Sequence, residues 1–145
     1  MLHRPFLLAA LIVMSAGCRK NEYRTAPVSG RITLNGVPVA NAAVMFQPIA
    51  PPGTINPGPG SYGITNADGY YNLRLIGKET PGAVVGKHQV RIENYTEPGE
   101  DFEGQPRRPV PGIQIPAKYN ALEALLEFDV PARGTEAANF DLTAP

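Results

Sequence analysis

"VSGRITLNGVPVANAAVMFQ", residues 28–47, reads as strand, turn and strand. Val28, Ile32 and Leu34 fall on one face and Ser29, Arg31 and Thr33 on the other, which is the period of a half-buried strand. Asn35-Gly36 follows at once, and that dipeptide readily supplies the two positive φ values of a type I′ hairpin turn. The chain is therefore expected to double back through residues 37–47 with Val44 and Phe46 turned inward. Pro38 has no backbone N–H to donate, so it belongs at a sheet edge or bulge.

The same alternation recurs downstream. Residues 48–61, PIAPPGTINPGPGS, carry five prolines and must form a long loop. Residues 62–65 then enter a tight turn at Asn66-Ala67-Asp68-Gly69 and leave through 70–75, where Tyr71, Leu73 and Leu75 share a face: a second hairpin. GKHQVRIEN, residues 86–94, alternates His88, Val90 and Ile92 with Lys87, Gln89, Arg91 and Glu93 and is the clearest amphipathic strand. After a polar, proline-rich stretch at 95–121, Leu126, Phe128 and Val130 face inward, as do Phe140 and Leu142. Residues 120–128 could make one short helix, but their end reads better as strand. Short strands between turn signals predict an all-β fold, an antiparallel Greek-key β-sandwich of about seven strands.

Ahead of that domain, Arg4 precedes Phe6–Met14, a run without charge. The run is too short for a membrane-spanning helix, which needs about 20 apolar residues, and reads as a signal-peptide core. Ser15, Ala16 and Gly17 lead into Cys18, the chain's one cysteine. This resembles the lipobox of bacterial lipoproteins, with Ser15 where an aliphatic residue is usual. The resemblance implies cleavage before Cys18 and acyl chains of the palmitate type on its sulfur and new amino group. The division is then signal peptide 1–17, lipid-anchored tether 18–27 and β-sandwich domain 28–145. Arg19 is not the Asp that retains such proteins at the inner membrane, so the expected address is the cell envelope, at the outer membrane facing periplasm or exterior.

Loss of Arg4 leaves 12 of the 13 basic residues against 13 acidic ones. That balance gives no electrostatic footprint for nucleic acid and no polybasic membrane patch. Attachment falls to the acyl chains. With its thiol acylated the domain has no disulfide, so packing must hold it.

"VSGRITLNGVPVANAAVMFQP", "TNADGYYNL", "GKHQVRI" and "IPAKYNA…LEFDV…NFDL", in that order behind a lipobox, resemble the carboxypeptidase regulatory-like, or transthyretin-like, domain of small planctomycete-type lipoproteins. The resemblance covers residues 28–142 and implies a prealbumin-like sandwich with no settled biochemical role. Enzymes on related folds need residues this chain lacks. The urate-pathway hydrolases use paired histidines and a Tyr-Arg-Gly-Ser end, and intradiol dioxygenases hold iron with two His and two Tyr. In the carboxypeptidases the domain is a noncatalytic appendage.

Individual residues point the same way. Asp68-Gly69 after Asn66 lacks the further oxygen ligands of a calcium loop. His88, the one histidine after residue 17, has no Cys partner for zinc and alternates with packed residues. No Gly-x-Ser-x-Gly elbow presents a nucleophile, and Ser29 and Ser61 sit in ordinary segments. Glu97, Glu100, Asp101 and Glu103 form an acidic loop whose default is a solvated surface. No enzyme activity, metal or cofactor is expected. Two functions remain. One is a lipid-anchored cell-envelope module with a structural role or an interaction role toward protein or glycan, for which Arg107, Arg108, Lys118 and Tyr119 are the candidate binding residues. The other is a small-molecule or carbohydrate carrier using Tyr62, Tyr70 or Tyr119 as stacking platforms. Counting chain reversals puts the turns at 35–36 and 68–69 and the loop 95–121 at one end. The tether, the proline loop and the connections near 76–85 and 131–136 fall at the other.

Overall fold

Asn35 and Gly36 take φ values of 49° and 81°, so the type I′ turn implied by the sequence is made. The computed structural model describes residues 23–97, 111–122 and 125–145. Among them are eleven short strands. The first six are β1 (Thr25–Ala26), β2 (Ser29–Leu34), β3 (Val37–Pro38), β4 (Ala42–Pro48), β5 (Ser61–Ile64) and β6 (Tyr70–Asn72). The others are β7 (Arg74–Leu75), β8 (Ala83–Val84), β9 (Gly86–Asn94), β10 (Leu126–Val130) and β11 (Phe140–Leu142), and a 3-10 turn spans Ala117–Tyr119.

The strands form an all-β, sandwich-like arrangement. One sheet has the order β10-β9-β4-β5-β7, a second places β11 on one side of β2 with β3 and β6 on the other, and β1 pairs with β8. The two larger sheets share a core. Phe46 on β4 lies 6.2 Å from the Phe140 ring on β11, and Phe128 on β10 lies 5.9 Å from Phe140. Val44, Tyr71, Leu73, Val90 and Ile92 are fully buried around them, as the alternation implies. Val39, Ala42 and Ala138 are buried just as deeply.

Partner choice departs from simple hairpins. Only Val37 and Pro38 return beside β2, and Pro38 is on an edge strand. Asn41, at φ 54°, then turns the chain into the opposite sheet, where β4 pairs with β5 and β9. Thr65 holds the crossing: its Oγ1 accepts the Ala42 N–H at 2.8 Å and its carbonyl accepts the Asn41 N–H at 3.1 Å. The hairpin around residues 66–69 keeps its register, with Asn66 N–H donating to Tyr70 and Tyr62 opposite Arg74. Its return strand is shared, however, because Tyr70–Asn72 pair with β2 while Arg74–Leu75 pair with β5.

β11 runs parallel to β2, a departure from the all-antiparallel expectation. Its approach requires Gly30, since a Cβ there would collide with the Ala138 carbonyl. That carbonyl also accepts the buried Tyr71 hydroxyl at 2.7 Å. Thr33, read as outward, is 8% exposed because Asp141 on β11 covers it and accepts its hydroxyl at 2.7 Å.

Strand pairing begins at Thr25, ahead of the Val28 expected from sequence, because β1 and β8 form their own ribbon. The pairings place the described parts of the loops as the reversal count requires. At the Asn35 end, Tyr95 N–H donates to Asn41, and Asn94 grips residues 113 and 115 with its side-chain amide. At the Tyr23 end, Val85 N–H donates to Arg24, Ile49 N–H to Lys87 and Thr135 N–H to Pro27. Because Phe46 touches His88, Phe128 and Phe140 at once, truncation in Phe46→Ala should cost about 3–5 kcal/mol in chemical denaturation. A loss under about 1 kcal/mol would contradict this core.

Candidate functional site

Lys118 and Tyr119 sit on the 3-10 turn at the Asn35 end. The Tyr119 hydroxyl accepts the Thr143 N–H at 2.8 Å and lies 3.2 Å from the Thr143 carbonyl, to which it donates. Its ring packs half-buried against the core, and the Lys118 ammonium stands 5.0 Å from the ring centroid. Tyr119 therefore braces the C-terminal segment, which Ala144 N–H also ties to the Asn35 side chain. Arg107, Arg108, Glu100, Asp101, Glu103 and Cys18 lie outside the described residues. The structure thus brings Lys118 and Tyr119 together and leaves the rest of that set unplaced.

The three tyrosines considered as stacking platforms do not share a rim. Tyr62 is on the outer face of the five-stranded sheet and 47% exposed. Tyr70 is 53% exposed on β6, with the Arg31 guanidinium 5.0 Å over its ring. β2 and β11 separate it from Tyr119, which bonds just past β11.

The turn at 66–69 uses its oxygen internally. Asn66 Oδ1 accepts the N–H groups of Asp68 and Tyr70, both at 3.0 Å, which closes the turn. Among the described residues, no three His, Cys, Asp or Glu side chains group closely enough to hold a metal ion.

His88 and Ser61, two of the side chains weighed for catalysis in the sequence, are both fully buried. His88 Nδ1 donates to the Gly86 carbonyl at 2.9 Å, which leaves Nε2 as the acceptor nitrogen. Nε2 and the Ser61 hydroxyl have no partner among the described residues. The Phe46 ring lies 5.5 Å from the imidazole. Burial lowers the His88 pKa below its ordinary 6.5, against the smaller opposing effects of the Gly86 carbonyl and Asp129.

Two open clefts lie at the Tyr23 end. One of about 500 Å³ lies between Pro27–Ser29, Asn72 and Arg133–Glu136. The other, about 300 Å³, runs between Tyr23–Arg24, the start of the proline loop and Val84–Lys87. Arg24, Lys87, Arg133 and Glu136 stand in no motif that marks them as site residues. The reversal count did gather their loops at one end, but the hollows depend on how far each loop stands off the sheets, which periodicity does not encode.

His88 gives a pH signature of the fold. Its folded pKa is lowered, so the unfolded chain takes up the extra proton: the stabilisation is whole above about pH 6.5 and declines as pH falls below it. Denaturation curves should show the unmodified protein losing more stability than His88→Leu as pH falls below about 6.5. Equal losses in the two proteins would place the sensitivity elsewhere. No protein-family model, curated protein or solved structure matches this chain.

Proposed function

We propose that this chain is a lipid-anchored, non-catalytic module of the cell envelope. The observation that carries the reading is the apolar run Phe6–Met14 leading through Ser15-Ala16-Gly17 to Cys18, seven residues ahead of β1. Acyl chains on Cys18 would hold the protein at the outer membrane, facing periplasm or exterior, and each buried methylene contributes about 0.8 kcal/mol. In this reading the domain is a carboxypeptidase regulatory-like, transthyretin-like sandwich of about seven strands with Greek-key connections.

Burial of His88 and Ser61 supports a non-catalytic role, because neither side chain is exposed to solvent. The separation of Tyr62, Tyr70 and Tyr119 supports a protein or glycan interaction role over a stacking site for a small molecule. The Asn35 end, with Lys118 and Tyr119, is the proposed surface for the envelope partner, since loops on a rigid scaffold most often carry function.

Metabolic labelling with a fatty acid tests the anchor. The unmodified chain should take up label and lose residues 1–17, whereas Cys18→Ser should remain unlabelled and unprocessed. Normal cleavage and release of Cys18→Ser would overturn the reading.

A further inference from the structure

The Tyr23 end carries features that neither the core nor the Asn35 end explains. Ile55, at the tip of the proline loop, is 102% exposed, and Ile49 and Ile76 at the same end are exposed as well. An isoleucine held fully in water at a loop tip gains nothing from folding. Beside that loop, the 300 Å³ cleft has apolar walls from Ile49, Pro51 and Val85 and two cations, Arg24 and Lys87, with no acidic residue in its lining.

No described acid makes an ion pair with either cation. Among the described residues Glu79 pairs with Arg74 at 3.1 Å, and that is the one ion pair. Asp129 stands across from Lys87 in the strand register but makes no ion pair with it. Glu136 belongs to the other cleft, beside Arg133.

The remaining chain joins at this end. From Cys18 to Tyr23 is five residue steps, a reach of at most about 18 Å. An acylated Cys18 therefore keeps the cleft and Ile55 within a short distance of the bilayer surface.

We propose that the Tyr23 end docks on the membrane itself, with Ile55 entering the interfacial region and Arg24 and Lys87 receiving the phosphates of anionic lipid headgroups. An apolar side chain flanked by cations matches the interface, where acyl chains meet charged headgroups. Neither element alone would bind a membrane durably, but the anchor makes their engagement intramolecular. The docked domain stands upright, with the Asn35 end directed away from the lipid. This inference rests on the anchor reading above.

The chain contains no tryptophan, so single Ile55→Trp and Val37→Trp variants report on one end each. Both positions are exposed, at 102% and 52%, and should tolerate the change. Each full-length variant, produced with its processing machinery, is reconstituted into phosphatidylcholine vesicles with brominated acyl chains, with or without phosphatidylglycerol. In flotation both variants should rise with the vesicles. Tryptophan at 55 should shift to shorter emission wavelength and be quenched by bromine, more strongly with phosphatidylglycerol, while tryptophan at 37 should do neither. Adding Arg24→Glu and Lys87→Glu to the Ile55→Trp chain should remove the extra quenching that phosphatidylglycerol brings. Chains that float while position 55 stays as unquenched as position 37 would overturn the docking and leave the anchor standing. Failure to float would overturn both.

Discussion

Residues 70–75 hydrogen-bond to both sheets in turn, and much of the architecture follows from that sharing. Tyr70–Asn72 pair with β2, and two residues later Arg74–Leu75 pair with β5. Leu73 sits at the switch, buried, with its N–H donating to Val28 and its carbonyl accepting from Gly82. A backbone that changes sheets within one residue keeps its polar groups paired only if both sheets are in place. The layers cannot slide without breaking that stitch. The Tyr71 hydroxyl on Ala138 then extends the restraint to the C-terminal strand. In a domain without a disulfide, such backbone and side-chain ties act with the Phe46–Phe128–Phe140 cluster to fix one packing.

Much of this was legible from residue pattern. Val44, Phe46, Tyr71, Leu73, Val90 and Ile92 could be placed inward because a strand's side chains alternate and one face is buried. Asn35-Gly36 and Asn66–Gly69 could be placed at turns because few residues accept positive φ. Pairing was less accessible. Nothing in VPVANAAVMFQ says that β3 stops after two residues and that Asn41 sends the chain across the core, because that depends on Thr65, over twenty residues away. The parallel docking of β11 rests on a contact between Gly30 and Ala138, more than a hundred residues apart. Alternation reports which face a side chain takes; it carries no information about which strand lies alongside.

The candidate residues divide along the same line. Tyr119 was legible as an aromatic in a polar stretch, but its service as a brace on Thr143 depends on where the C-terminal segment returns. His88 could be assigned to the packed face from its neighbours Val90 and Ile92, and burial there lowers its pKa. The clefts at the Tyr23 end were the least accessible feature, being spaces between segments that are distant in sequence.

The parallel pairing of β2 and β11 has a mechanical consequence. β2 rises from the Tyr23 end and β11 leaves toward the Asn35 end, side by side, with Ile32 opposite Phe140 and Leu34 opposite Leu142. Tension applied between the chain before β2 and the chain after β11 would pull the two strands lengthwise past each other. Their hydrogen bonds would then bear the load together, in shear, instead of opening one at a time as in an unzipped hairpin. A domain wired this way resists tension between those two points far better than peeling at an edge.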